Sequence, residues 1–246
     1  MALSELNILL ISEKVSFLNL PADGETGSHI TRVLNAQEGD SIDIGVRNGP
    51  KGKATLLSLN KQNLKLSIKW DDDHPTDLFP ISLLVGLSRP QTCRKILEQA
   101  SALGVSNMHF FVSDKSEPSY RDSRLWKTKE WEEKIQKGVE QAFSTFIPEC
   151  KIWSNLDECL ASQSGSSIRI ALDNYESSGT FPCSPQRDKI DHYTIAVGAE
   201  RGWSDNERQR LRNSGFLLLS LGPRVLRQET AVVVALGQVL GRFWKS

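Results

Sequence analysis

The sequence is short of cysteine, of net charge and of long apolar runs, and each shortage closes off a class of protein. Its four cysteines, Cys93, Cys150, Cys159 and Cys183, form no CxxC pair and have no histidine at zinc spacing. Neither a metal site nor a redox motif is expected, and the thiols are read as packed. No stretch approaches the roughly 18 consecutive apolar residues of a membrane helix. The opening MALSELNILLISEK lacks the basic start and small-residue cleavage site of a secretory signal, so a cytoplasmic protein with no membrane partner is expected. Thirty Lys and Arg are balanced by 30 Asp and Glu. That balance argues against coating DNA or RNA by bulk attraction, which depends on many phosphate contacts. There is no GxGxxG after a strand and no GxxxxGK[ST], the nearest run being the hairpin GVRNGPKGK, so a Rossmann site and a P-loop are both disfavoured.

What is present is 246 residues with 39% apolar and 24% charged side chains, enough for one large globular domain or two of ordinary size. Up to about residue 70 the chain reads as short strands, NILLI, SIDIGV, KATLLSL and LKLSIKW, with Asn48-Gly49-Pro50 as a turn. A small β-barrel or sandwich follows from that pattern. Asp71-Asp72-Asp73-His74-Pro75 breaks it and suits a solvated linker, which places domains at 1–73 and 74–246.

Beyond the linker, strands alternate with helices. ISLLVGL, NMHFFVS, IRIAL, YTIAVG and FLLLSLG are apolar enough to be buried on both faces, as in a mostly parallel α/β sheet covered by helices. Ile96, Leu97, Ala100 and Leu103 recur at helical spacing before Gly104, and Trp131, Ile135, Val139 and Ala142 mark a helix over about 127–143. Ser204 and Glu207 have capping-box spacing, with Gly215 as the stop. A last helix over about 230–244 is apolar on more than one side through Val232, Val233, Val234, Leu236, Val239 and Leu240. SQSGSS, residues 162–167, reads as a flexible loop.

Two strand-to-helix junctions carry the chemistry, VGAERGWSDNE at 197–207 and SLGPRVLRQETA at 220–231. In an open parallel sheet, ligands bind beyond the carboxyl ends of the strands, where glycine admits a close approach to backbone. One glycine-bearing loop alone reads as a tight turn. Two of them, with Gly198, Gly202 and Gly222 beside Glu200, Arg201, Arg224, Arg227 and Glu229, read as a site.

These two runs, VGAERGWSDNE followed by LGPRVLRQETAVVVALG, closely resemble the paired C-terminal motifs of the RsmE-type methyltransferases of the SPOUT superfamily, which methylate ring nitrogen 3 of a uridine in small-subunit (16S) ribosomal RNA. HITRVLNAQEGDSI resembles the family's N-terminal PUA-like segment, so the likeness covers the whole chain. The chain departs from the family's usual GPEGG loop at Ala199 and Arg201, has Ser144 near a usual arginine, and lacks the basic opening.

The resemblance implies a trefoil-knotted catalytic domain that binds S-adenosyl-L-methionine, a small PUA-like β-barrel for RNA, and a homodimer with each site close to the partner subunit. It assigns Leu172, Gly198, Ala199, Glu200, Gly202, Ser220, Leu221, Gly222, Leu226, Thr230 and Ala231 to the cofactor. Arg227 is the candidate for stabilising the uracil anion, and Glu229 or Glu200 either accepts the ring proton or orients neighbours. Arg32, Arg89, Arg94, Lys95 and Arg224 are candidate RNA contacts, the alternative for each being an ordinary solvated charge. Two other functions stay open: an RNA-binding ribosome-assembly factor without activity, and a methyltransferase of transfer RNA.

Overall fold

Strand patterning in the first 70 residues translates directly into a sheet. The computed structural model describes residues 7–33, 35–72, 75–163, 165–181 and 192–244. Asp73, His74 and Cys183, and with Ser164 part of the serine-rich loop, lie outside the described residues. Leu9–Ile11 (β1), Phe17–Pro21 (β2), Ser41–Val46 (β3), Lys51–Leu59 (β4) and Asn63–Trp70 (β5) form one sheet of order β1-β3-β4-β5-β2. Alternation sets its buried face: Ile42, Ile44, Ala54, Leu56, Leu64 and Leu66 pack together with Ile30 and Ala36. Asn48 turns the chain between β3 and β4 at φ +56, a conformation asparagine tolerates better than most residues. β2 is a strand that the sequence reading did not separate from its surroundings. Glu25–Ser28 (α1) and a π-helical turn over His29–Val33 bridge β2 and β3, and Arg32 is exposed on that turn.

The chain divides into two compact units, one of Met1–Asp77 with Val139–Ile147, the other of Leu78–Gly138 with Pro148–Ser246. The returning segment 139–147 is tied into the first unit by backbone bonds Ile8 N–H to Glu140 C=O and Asn48 N–H to Thr145 C=O. Thr145 also donates its hydroxyl to Gly49 C=O.

In the second unit, Phe79–Gly86 (β6), Val105–Phe111 (β7), Glu149–Trp153 (β8), Ile168–Leu172 (β9), Tyr193–Val197 (β10) and Leu217–Leu219 (β11) form a sheet of order β11-β9-β10-β6-β7-β8. Every pairing in it is parallel. The accompanying helices are Pro90–Ala102 (α2), Arg124–Lys127 (α3), Glu130–Gln141 (α4), Leu156–Ala161 (α5), Asp205–Asn213 (α6) and Gln228–Leu240 (α7). The α/β class therefore stands.

Three helix bounds differ from the sequence reading, each for a local reason. The helix expected from Lys127 splits, because Thr128 leaves helical geometry and its hydroxyl accepts the N–H of Glu130, starting α4 afresh. That helix stops at Gln141, since Phe143 adopts φ +53. The last helix begins two residues early, with Arg227 as its N-cap, and ends at Leu240. The Ser204 and Glu207 capping box is present, and Gly215 sits at φ +78.

Burial also explains the cysteines. Desolvation pushes the Cys93 and Cys159 thiols up to about 12 and raises Cys150 as well, so all three stay protonated and inert at neutral pH. No cluster of metal-binding side chains occurs among the described residues, and no helix among them is long and apolar enough to cross a membrane.

Candidate active site

Parallel pairing brings the carboxyl ends of four strands level with one another. Val197 of β10 lies beside Leu172 of β9 on one side and Val85 of β6 on the other, and Leu219 of β11 pairs with Leu172. Three of these strands, β9, β10 and β11, run straight into loops, and the loops enclose an open cleft. Its walls are Leu172 to Tyr175, Val197 to Trp203, and Leu221 with Arg224 to Leu226, closed at the base by Gln228 and Ala231 at the start of α7. This is the crevice beyond strand ends at which open α/β sheets bind ligands.

Each loop is held by a specific device. After β10, Gly202 turns at φ +69 with its N–H on Ala199 C=O at 2.7 Å. A Cβ at Gly198 would come within 3.1 Å of Gly202 and of the Trp203 ring, so glycine there serves the loop's own packing. Trp203 is buried, stacks on Phe111, and donates its indole N–H to Leu172 C=O at 2.8 Å, tying the β10 loop to the end of β9. Gly86 belongs to the same construction, because a Cβ on it would sit 2.6 Å from the Ala199 nitrogen. The loop after β9 is fixed by Asp173, which accepts the Tyr175 N–H at 2.7 Å and the Arg208 guanidinium on its other oxygen. The Asp173 and Arg208 side chains are 1% and 6% exposed, a buried ion pair directly behind the cleft wall. Hydrogen bonding to Asp173 first, then charge, holds Arg208 protonated.

Gln228 is the polar group at the base. Its Nε2 donates to Gly86 C=O at 2.8 Å and to Gly198 C=O at 2.6 Å, which fixes the amide's orientation because the oxygen cannot occupy that position. Its Oε1 is buried and has no hydrogen-bond partner among the described residues. A buried acceptor left without a donor costs about 1–3 kcal/mol, and such a group asks for a ligand or a water to complete it.

Of the residues assigned to the cofactor from sequence, Leu172, Gly198, Ala199, Glu200, Gly202, Leu221, Leu226 and Ala231 line the cleft. Ser220, Gly222 and Thr230 do not. Ser220 is engaged in backbone bonds with Gly179 and Phe181, and Gly222 sits at φ +120 with open space where a Cβ would stand. Glycine at 222 is thus required by backbone conformation.

Arg224 lines the cleft, while Arg227 is exposed at the N-cap of α7. Glu229 is ion-paired with Lys95 at 3.1 Å. Burial alone would raise its carboxyl, but its own backbone N–H and Lys95 outweigh that and hold it below the ordinary value. Glu200 accepts the Thr92 hydroxyl at 3.1 Å and lies 3.6 Å from Arg89. Arg94 is clamped by both oxygens of Glu130. Arg201 faces Glu117 at 3.3 Å. Asp173, Asn174, Tyr175, Val197, Trp203, Val225 and Gln228 are cleft residues that sequence reasoning did not assign to the site. Two signals were available: Asp173 directly follows an apolar strand, and Gln228 stands inside the LRQET run.

Residues 74–240 match the family described as RNA methyltransferase domain, and residues 22–69 match RNA methyltransferase PUA domain. The chain is 31% identical to the ribosomal RNA small subunit methyltransferase E of Treponema pallidum over 88% of this chain and 84% of that protein. It is 25% identical to ribosomal RNA small subunit methyltransferase E 1 of Borreliella burgdorferi, covering 94% and 95%. Its fold matches the crystal structure of a ribosomal RNA small subunit methyltransferase E from Neisseria gonorrhoeae bound to S-adenosyl methionine, with a TM-score of 0.78, 21% identity and 98% of both chains covered. The chain belongs to the small-subunit ribosomal RNA methyltransferase E family, an RNA methyltransferase domain joined to a PUA domain.

Proposed function

We propose that this protein transfers the methyl group of S-adenosyl-L-methionine to ring nitrogen 3 of a uridine in 16S ribosomal RNA, acting in the cytoplasm as a homodimer. RNA recognition is assigned to residues 1–73 and methyl transfer to residues 74–246, with the trefoil knot that the family resemblance implies. The observation that carries the reading is the cleft at the ends of β9, β10 and β11, with the orphaned acceptor of Gln228 at its base.

The residues present fit the cofactor. A nucleoside bearing amino and hydroxyl donors supplies what Gln228 Oε1 lacks, and apolar Leu172, Val197, Leu221 and Leu226 suit an adenine ring. When bound, the cofactor supplies an electrophilic methyl group on a sulfonium centre.

The uridine reacts as its N3 anion, its ring proton released to solvent beforehand, and S-adenosylhomocysteine is the other product. The chain's own part is to hold the uridine in line, keep water from the reacting centre and support the negative charge on the base. Alignment alone can contribute about 7–11 kcal/mol to a two-component reaction. Arg227 stands at the positive end of α7, where its guanidinium and the helix dipole both favour a negative uracil oxygen. Lys95 neutralises Glu229, so this carboxylate does not cancel the positive field around Arg227. Glu200 and Glu229 both have cationic or hydroxyl partners, which favours an orienting role for each over proton acceptance. Because the reacting nitrogen lies on the pairing edge, the target uridine must be unpaired when it reacts.

The test is incubation of the purified protein with labelled cofactor and unmodified small-subunit RNA, followed by nucleoside mapping. One 3-methyluridine in 16S RNA is expected. Label in transfer RNA would move the substrate, and RNA binding with no transfer at any stage would leave an assembly factor.

A further inference from the structure

The sheet of the first unit buries one face; the other is covered at its Gly45 end by Thr145 and is open to water over β4, β5 and β2, where its composition is unusual. In β5, Leu64 and Leu66 point into the core while Lys65, Ser67 and Lys69 point out. Pairing of Phe17 with Ser67 places Phe17 of edge strand β2 beside them, and pairing of Lys53 with Lys69 continues the row on β4. Phe17 is 57% exposed although a core is available one residue away at Leu18. Its ring is not left to solvent alone, since Lys65 Nζ lies 5.4 Å from its centroid. Leu57 follows Lys53 and Thr55 on the outward side of the neighbouring strand β4 and is 46% exposed. Lys53 is ion-paired with Asp43, whereas Lys65 and Lys69 have no carboxylate partner among the described residues.

We propose that this face binds an unpaired stretch of RNA, a base stacking on Phe17 and backbone phosphates meeting Lys65 and Lys69. The inference rests on the reading that RNA is the substrate, and it adds where on the small unit the strand lies. A sheet face offering one aromatic ring among lysines suits single-stranded nucleic acid, because every base has a π-face and every linkage a charge. A protein partner is disfavoured, since interface cores are depleted in lysine. The chain's zero net charge makes such a local patch the economical way to attract a polyanion.

The experiment uses the full-length protein and a short fluorescent oligouridine as probe. Phe17→Ala should weaken binding about 5- to 150-fold, the range for losing one base stack. Lys65→Ala with Lys69→Ala should lower the slope of log affinity against log salt by about 1.4, at about 0.7 per phosphate contact on single strands. Both are surface changes, so circular dichroism and calorimetric cofactor binding should match the parent. Parent-like affinity and salt slope in these folded variants would overturn the proposal, as would a parent protein that does not bind the probe. Loss of self-association in place of RNA binding would overturn it too, marking the face as a protein interface. Methyl transfer is scored separately: a protein that binds oligouridine here yet methylates no ribosomal RNA refutes the enzymatic reading and leaves this face standing.

Discussion

Removing Asp173 should destabilise the catalytic unit by about 4 kcal/mol, and the size follows from what stays behind. Asp173→Ala leaves Arg208 charged, with its side chain only 6% exposed. Stranding one partner of a buried pair typically costs about 3–5 kcal/mol. Arg208 keeps Asp205 at 2.9 Å and Glu176 at 3.8 Å, partly solvated partners that pull the figure to the low end of that range. The Tyr175 N–H also loses its acceptor, adding about 0.5–1.5 kcal/mol and loosening the loop after β9. In urea, with a slope of about 2 kcal/mol/M, the midpoint of the catalytic unit should fall by about two molar at unchanged slope. Cofactor affinity should fall as well, because Leu172 to Tyr175 form one wall of the cleft. Replacing both partners, Asp173→Leu with Arg208→Met, should recover most of the stability. Asp173→Ala within about 1 kcal/mol of the parent, or a double variant as unstable as the single, would refute the account.

Arg227→Ala should lower kcat about a hundredfold or more at nearly unchanged cofactor affinity, and wild-type turnover would remove Arg227 from the reaction. Glu229→Gln should cost about 1 kcal/mol at neutral pH. Because the folded carboxyl lies below its ordinary 4.5, that gap should persist down to the ordinary value and close only as pH falls through the depressed one; a gap closing above pH 6 would contradict it. Gly222→Val, forced to φ +120, should strain the loop by about 1–3 kcal/mol and weaken cofactor binding in calorimetry through loop shape. Val234, 36% exposed on α7, is where a charge should dissociate the proposed dimer with the fold intact, read by sedimentation. Leu236, fully buried within the chain, should unfold it when charged.

The contrast between Val234 and Leu236 shows where sequence reading stops. Apolar residues around α7 were legible, and they suggested a helix needing cover on several sides. Which of them its own chain covers depends on contacts distant in sequence, and α2 supplies much of that cover. The strand-end cleft was legible too, since strand, glycine and loop are local patterns. Its supports were not, because Trp203 reaches back to Leu172 and Gln228 reaches across to Gly86 and Gly198 only once β6, β9 and β10 lie side by side. Charge was the least legible of all. Arg94, Lys95, Arg89 and Arg201 look alike in a sequence, yet the fold commits each to a carboxylate elsewhere in the chain.

The return of residues 139–147 to the first unit bears on how the protein is made. Ile8, Gly49 and Asn48 take bonds from or give bonds to Glu140, Thr145 and Ile147, and the Cβ position of Gly45 is filled by Thr145. The small unit therefore cannot close when residue 77 leaves the ribosome. Its last piece follows some 60 residues later, roughly 3–12 s at ordinary elongation rates. During that interval the β2 to β5 sheet waits on the nascent chain with the Gly45 surface open. A fragment ending near residue 77 would keep that surface open permanently, so expression of the isolated small domain should yield material that aggregates, and supplying 139–147 as a grafted segment should cure it.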